Sequence, residues 1–481
     1  MAATPGQPSF HILICLIQIW EMEDPKNPLK APDPNKVRLI TEVENIEIEE
    51  SYRKLIGTAS IKFPRGTIIK KTRTELNGVE YDNKINAIID DTGVLLTTRT
   101  TSKKADVADF KVGSRIRIML GLTTDPKIAA LAKVDKEGKS IHNDSNKLKQ
   151  YKDNLEIMFD GYITKCSIDT PIEIECENIA SGLKKIQCPK VPAKSNMTVN
   201  DFLASDGKYN LLKDTGLELH PKTKACDINI GKVSLTTDLT VADVLTEWGK
   251  YKLYAFIKQE NEKAYVVVGR SYFSNAGDDS IINHEDKKSE GDKILFNYHV
   301  ADNGLKLMNI DKTFLAVEAT GIDKQDKFYK ITIRRNPAWD GTSNTDKWQL
   351  MNETKLSKKA MKLGATKLTN SKDKVDLSTY TVIPYMSRKM GITHDELLEE
   401  AIKYFESYNM NGIEGTLTLF GDLALKTGVK VELVDDLHPQ KNGYYFVDEV
   451  NTTFGTGGYR QRIKLPYCIS RKKKEENGAR K

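Results

Sequence analysis

Cysteine is scarce in this chain. Cys15, Cys166, Cys176, Cys188, Cys226 and Cys468 are spread over 481 residues, with no CxxC pair and no Cys/His spacing of the kind zinc sites use. A disulfide framework or a structural zinc is thereby excluded as the basis of the fold, and reduced, mostly buried thiols are expected. Long apolar runs are equally few. Phe10 to Trp20 (FHILICLIQIW) is too short to cross a bilayer as a helix, and no Lys or Arg precedes it to act as the charged head of a signal peptide. It reads as a strand buried on both faces, in a chain with no membrane span that is made and kept in a cytoplasm. A surplus of one charge is missing too. Against 73 basic side chains stand 67 acidic ones, and the stretch 471–481 alone holds six of the former and two of the latter, which leaves the body at +2. So balanced a body lacks the sustained positive field that drives generic phosphate-backbone binding.

Catalytic signatures are absent as well. There is no phosphate-cradling Gly-x-x-x-x-Gly-Lys-Ser/Thr loop, no Gly-x-Ser-x-Gly elbow and no His-Glu-x-x-His. The seven His, at 11, 142, 220, 284, 299, 394 and 438, never fall at metal-ligand spacing. No catalytic, cofactor-binding or metal-binding residue is therefore nominated, no cofactor is expected, and the chain is read as a non-enzyme. One enzymatic pattern does occur, a doubled Asp-Thr-Gly at Asp91 to Gly93 and Asp214 to Gly216, which in aspartic proteases brings two carboxylates together over one proton. Lys213 precedes the second copy where an apolar pair belongs, and Asp and Gly are ordinary turn residues.

What is present is a globular composition, 39% apolar and 29% charged, and a length that at about 150 residues per domain suggests roughly three domains. Many stretches alternate with period two, among them Ile46 to Glu50, Ser114 to Leu120, Ile172 to Cys176, Val429 to Val434 and Arg460 to Leu465. The fold class is mainly β with an α+β insert. Helices are expected from Thr393, where Thr-His-Asp-Glu offers a capping box before an apolar stripe, and over Thr240 to Trp248. The Thr-Val-Ala-Asp-Val-Leu that opens the latter echoes Thr198-Val-Asn-Asp-Phe-Leu203, which places both short helices in one domain.

The chain also repeats itself. GTASIKF (57–63), FKVGSRIRIML (110–120), FDGYITKCSI (159–168) and IEIEC (172–176) recur in order as EGTLTLF (414–420), LKTGVKVELV (425–434), KNGYYFVDEV (441–450) and YRQRIKL (459–465). Aligning Phe63 with Phe420, Gly113 with Gly428 and Gly161 with Gly443 leaves extra material between the strands of the first copy, as loop insertions would. Each copy reads as a small antiparallel barrel whose closure removes exposed strand edges. Two basic stretches remain: the tail from Arg471, and Lys347 to Lys374, where eight Lys face only Glu353 and Asp373. The second reads as a long excursion that could contact DNA or an acidic surface.

On these residues the chain resembles the baseplate hub proteins of contractile phage tails, a family that takes in the hub half of type VI secretion spike proteins and the late-control tail proteins of prophages. The resemblance rests on 415–465, on 159–178 and on 240–257. It implies two pseudo-equivalent tube-type β-barrels with an inserted α+β domain. The expected limits are 1–185 for the first barrel with its loop insertions, 186–292 for the insert, and 293–338 with 375–470 for the second barrel. A lysine-rich excursion over 339–374 and a basic tail over 471–481 complete the division. It further implies a homotrimer in the virion's tail baseplate that joins sixfold tail-tube rings to a central threefold spike. Wedge proteins would lie beside it, and DNA or effectors would pass through the channel. A duplicated barrel gives the physical reason, since three chains with two barrels each present six similar surfaces while keeping threefold symmetry. The alternatives are a tail-associated peptidase or cell-wall hydrolase, with Asp91 and Asp214 as the residues to test, and a tail-tip protein of a non-contractile tail.

Overall fold

The structure is a computed structural model. Apart from short interruptions, it describes residues 11–20, 37–64, 110–133, 144–167, 172–270, 292–307, 315–337, 347–351, 364–367, 380–408 and 413–471, together with a few short strands between 70 and 97. Sixteen strands build the two barrels. The first has β1 (Ile12–Trp20), β2 (Val37–Ile40), β3 (Asn45–Ser51), β4 (Thr58–Lys62), β5 (Lys70–Lys71), β6 (Arg115–Thr123), β7 (Glu156–Cys166) and β8 (Glu173–Asn178). The second has β9 (Asp292–Leu295), β10 (Val300–Asn303), β11 (Thr416–Phe420), β12 (Lys430–Val434), β13 (Gly443–Phe446), β14 (Glu449–Gly455), β15 (Gly458–Lys464) and β16 (Tyr467–Arg471). Twelve of them form one continuous sheet in the order β10, β11, β15, β14, β3, β4, β8, β7, β6, β1, β2, β5, and the other four a sheet in the order β9, β12, β13, β16.

The first barrel follows from alternation. In β3 the order Asn-Ile-Glu-Ile-Glu-Glu-Ser sends Ile46 and Ile48 inward and Glu47 and Glu49 out. The inner face of every long strand contributes to one core that takes in Ile17, Ile46, Ile61, Ile118, Phe159 and Ile174, so the sheet curls until β1 and β4 share an interior. As expected of an unbroken apolar run, β1 is buried on both faces. Cys15, Ile17 and Ile19 point into the barrel core. Ile14, Leu16 and Trp20 lie in a second core, roofed by Ile128 and Tyr151 from the helices Pro126–Ala130 and Ser145–Lys152. The insertion after β6 thus folds back on its own barrel.

The insert has its own packing logic. Thr198 and Thr240 each cap a helix, with Asp201 and Asp243 completing both capping boxes, and the helices Val199–Leu203 and Val241–Trp248 share a core in which Phe202 meets Trp248 at 5.6 Å. A three-stranded sheet of Leu217–Leu219, Lys263–Arg270 and Leu253–Glu260 closes the other side. Leu55 and Tyr162 of the first barrel belong to this core too, so the two units are fused.

The second barrel is interrupted in a way that departs from the expected limits. Residues 315–335 were assigned to that barrel and 339–374 to an excursion, yet the chain from Leu315 to Tyr408 makes a separate five-stranded sheet with the helix His394–Tyr408 packed on it. Thr393 and Glu396 form the capping box at that helix start. Trp348, 1% exposed, heads the largest fully buried side chains of the molecule, although it sits inside the polar stretch. The reason is length: Trp348–Leu350 and Ala365–Lys367 are three-residue strands, which bury Trp348, Leu350 and Ala365 without a long apolar pattern to announce them.

The repeat is carried by the topology. β7 pairs with β6 along its first half and with β8 along its second, and β13 and β14 divide the same task between β12 and β15. The Gly113 amide donates to the Ile163 carbonyl (2.7 Å) and the Ile163 amide to Ser114 (2.9 Å); the Gly428 amide donates to Val447 (2.9 Å) and the Val447 amide to Val429 (2.9 Å). Both glycines hold positive φ, 90° and 79°, which a side chain would resist. This correspondence makes Phe446, not Tyr444, the counterpart of Tyr162, two residues from the alignment expected on the Gly-Tyr pairs. The alignment of Phe63 with Phe420 is off by an odd number, which matters more because it exchanges faces. Phe63 is buried and stacked on Phe110 at 5.1 Å, while Phe420 is 38% exposed beneath the Arg460 guanidinium at 4.5 Å.

Candidate functional site at the junction of the barrels

The place where both copies and the insert meet is the seam between β3 and β14. Seven residue pairs, from Asn45 with Gly455 to Ser51 with Glu449, join the barrels edge to edge in a regular antiparallel ladder. Beyond the seam the chain turns, and Tyr52 is fully buried among rings from all three units: Phe446 of the second barrel at 5.5 Å, and Tyr254 at 5.5 Å and Phe256 at 6.4 Å of the insert, each edge-on. The Tyr52 amide donates to the Asp448 carbonyl at 3.2 Å, and the Arg53 guanidinium meets the Asp448 carboxylate at 2.9 Å. Burial holds the Asp448 carboxyl above its ordinary value against the pull of Arg53. Gly428 completes the lock, because a β-carbon there would stand 2.7 Å from the Phe256 ring.

Beside this lock lies a small cleft lined by Glu50, Phe159, Asp160 and Asn178 of the first barrel, Lys258 and Gln259 of the insert, and Lys426 and Thr427 of the second barrel. Glu50 shares the inward parity of Ile46 and Ile48, so the strand delivers a carboxyl to the apolar side. Burial pushes it up to about 7, with Lys426 pulling the other way. The cleft holds about 70 Å³, room for a water or two, whereas ligand pockets run to roughly 300–1,000 Å³. The Thr427 hydroxyl is committed to the Asp448 carbonyl at 2.9 Å. The arrangement can exchange a proton and bind units together; a substrate of any size does not fit it.

On the outer face of the first barrel, Arg115 and Arg117, which alternation predicts to face solvent, grip the buried Asp160 at 2.8 Å each. Arg117 also stands over the Trp20 ring at 5.7 Å. Sequence reasoning missed this triad because the acid lies 43 and 45 residues away on a neighbouring strand. The paired Asp-Thr-Gly motifs are not brought together within the described residues: Asp91 lies outside them, and Asp214 is an exposed turn residue with φ 61°. There Thr215 builds the turn, donating to the Leu212 carbonyl at 2.7 Å and accepting from the Leu217 amide at 3.0 Å. Among the described residues no helix is long and apolar enough to cross a membrane.

No protein-family model matches the chain, and no curated protein matches it. Solved structures do. The chain is similar to the tail protein from Neisseria meningitidis MC58, at 11% identity and TM-score 0.46, covering 95% of this chain and 96% of that one. It is similar to the 43 kDa tail protein of prophage MuSo2 from Shewanella oneidensis, at 8% identity and TM-score 0.43, covering 94% and 97%. A third is the Francisella PdpA-VgrG complex, at 10% identity and TM-score 0.44, where 96% of this chain spans 60% of that chain. The likeness runs along nearly the whole chain and is one of architecture.

Proposed function

We propose that this protein is a structural hub of a contractile tail baseplate, a non-enzymatic homotrimer that adapts a sixfold tail tube to a threefold spike. The observation that carries the reading is the seam: two barrels of the same strand order, each with its positive-φ glycine clasp, are locked rigidly side by side in one sheet. Three such chains around an axis offer six similar barrels to a sixfold ring, while everything that differs between the copies repeats only three times. Tail-tube rings, a central spike and neighbouring wedge proteins are then its partners in the virion, and DNA or effectors pass along the axis. The mass in solution tests this directly. Light scattering is expected to return three times the 54.2 kDa chain mass, and a monomer at tens of micromolar, with a native melting curve, removes the symmetry argument.

A further inference from the structure

The module between Leu315 and Tyr408 is not explained by the barrels, and its charge is unlike theirs. Residues 327–389 hold fourteen basic and five acidic side chains, a surplus of nine, in a chain whose formal charge is +6; the remainder is therefore at −3. Positive charge that is diluted over the whole sequence is concentrated in this one unit. The structure shows how part of it is arranged. Arg335 pairs across the sheet with Trp348, and Arg334 with Gln349, while the Asn336 amide donates to the Lys347 carbonyl at 3.0 Å and ties the neck of the loop between the two strands. At this strand end Arg335 stands 4.9 Å from the centre of the Trp339 ring and 5.6 Å from that of Trp348, and Lys347 stands 5.6 Å and 5.2 Å from the same rings. On the adjoining position Arg334 lies over Tyr380 at 5.1 Å, donates to its hydroxyl and donates to the Gln349 side chain at 2.8 Å.

The cations are thus held by aromatic faces and amides, which orient a guanidinium or an ammonium without cancelling its charge. Arg334, Arg335, Lys347 and Trp339 are all partly exposed. The acids of the module sit elsewhere: Asp395, Glu396, Glu399 and Glu400 occupy the first turns of the helix, whereas Trp348 meets that helix at Phe405, about 13 Å further along its axis from Glu396 at 1.5 Å per residue. One end of the module is cationic and aromatic, and the other acidic.

We propose that this end of the module is a nucleic-acid-binding face, on which Arg334, Arg335 and Lys347 take backbone phosphates and the Trp339 layer offers a surface for a base or sugar. A phosphodiester chain fits better than an isolated anion because the charge excess extends over sixty-three residues of sequence rather than one pocket. The inference stands on the module alone and does not depend on the trimeric hub.

The test is fluorescence anisotropy of the full chain with a labelled oligonucleotide, single- and double-stranded, over a salt series, with polyglutamate of matched length as competitor. Two or three phosphate contacts predict a slope of log affinity against log salt of about −2 to −3. The pair Arg335→Gln with Lys347→Gln is expected to weaken binding about tenfold or more at low salt and to remove close to 2 from the slope. Lys165→Gln with Lys184→Gln, two exposed cations of the first barrel region, should change neither. No binding at low salt overturns the proposal, as does an unchanged affinity in a natively melting Arg335/Lys347 variant, or polyglutamate competing as well as DNA. Because those side chains pack on Trp348, an ultraviolet crosslink of the unaltered chain to the oligonucleotide provides a second readout. Crosslinked peptides within 328–351 support the face, and crosslinks confined to other regions refute it.

Discussion

The two barrels share a framework and differ in nearly everything laid over it. In the first, the outer face of β1 is roofed by helices from the same chain. The charged face of β6 is neutralised internally, Arg117 lying opposite Asp160. In the second, the corresponding pair is Glu432 opposite Tyr444, Lys430 rests on the Tyr444 ring at 5.1 Å, and Tyr298, Phe420 and Leu437 are 64%, 38% and 74% exposed. A duplicated fold keeps what the backbone needs, the glycine clasp and the strand order, and leaves the faces free to diverge. The first barrel has turned its outer surface into its own interior, and the second presents apolar side chains outward.

Breaking this contrast should be easiest at the two phenylalanines that the sequence aligns. Phe63→Ala removes a buried, stacked ring and is expected to cost about 3–5 kcal/mol, whereas Phe420→Ala should stay within about 1 kcal/mol in the isolated chain. Equal losses in chemical denaturation would mean the two barrels are packed alike. Next in size, Asp160→Asn strands Arg115 and Arg117, only 15% and 14% exposed, and should cost on the order of 3 kcal/mol. Lys430→Gln in the second barrel should shift the melting midpoint hardly at all. Gly428→Ala comes third, at about 2 kcal/mol, since it combines positive φ with a close approach to Phe256, and it should loosen the junction first. Near-ultraviolet dichroism of the Tyr52 cluster reports that loosening, and an unchanged spectrum would place the lock elsewhere.

The smallest effect is the one with a pH signature. Glu50 binds its proton more tightly in the folded chain, at about 7, than in the unfolded one, near the ordinary 4.5. The folded state therefore bears no penalty below about pH 4.5, an increasing one up to pH 7 and a constant one above. Glu50→Gln should accordingly raise stability by about 1–2 kcal/mol at pH 8 and leave it unchanged at pH 4, the shift being discounted for the partial exposure of the group. A gain at both pH values would show that packing, not ionisation, is responsible.

Much of this was legible in the residues because the signals were local. The alternation in β3, β6 and β8, the doubly buried β1, and the three Thr-started capping boxes each involve neighbours within a few positions, where period and propensity act. The module from Leu315 to Tyr408 escaped because its three-residue strands take their stability from Trp348 and the distant helix rather than from a repeating pattern. The Asp160 triad and the Tyr52 cluster escaped for the same reason, as their members meet only through strand pairing and loop closure.

By itself, then, the amino-acid order determined the strand-rich class, the ordered duplication and the starts of its helices, since each is dictated by side chains acting on their own stretch of backbone. The tertiary structure alone decided the register between the copies, the face on which each phenylalanine lies, the raised carboxyl at Glu50 and the edge-to-edge joining of β3 to β14. Those depend on which groups burial brings together, and desolvation has no meaning until a second surface arrives.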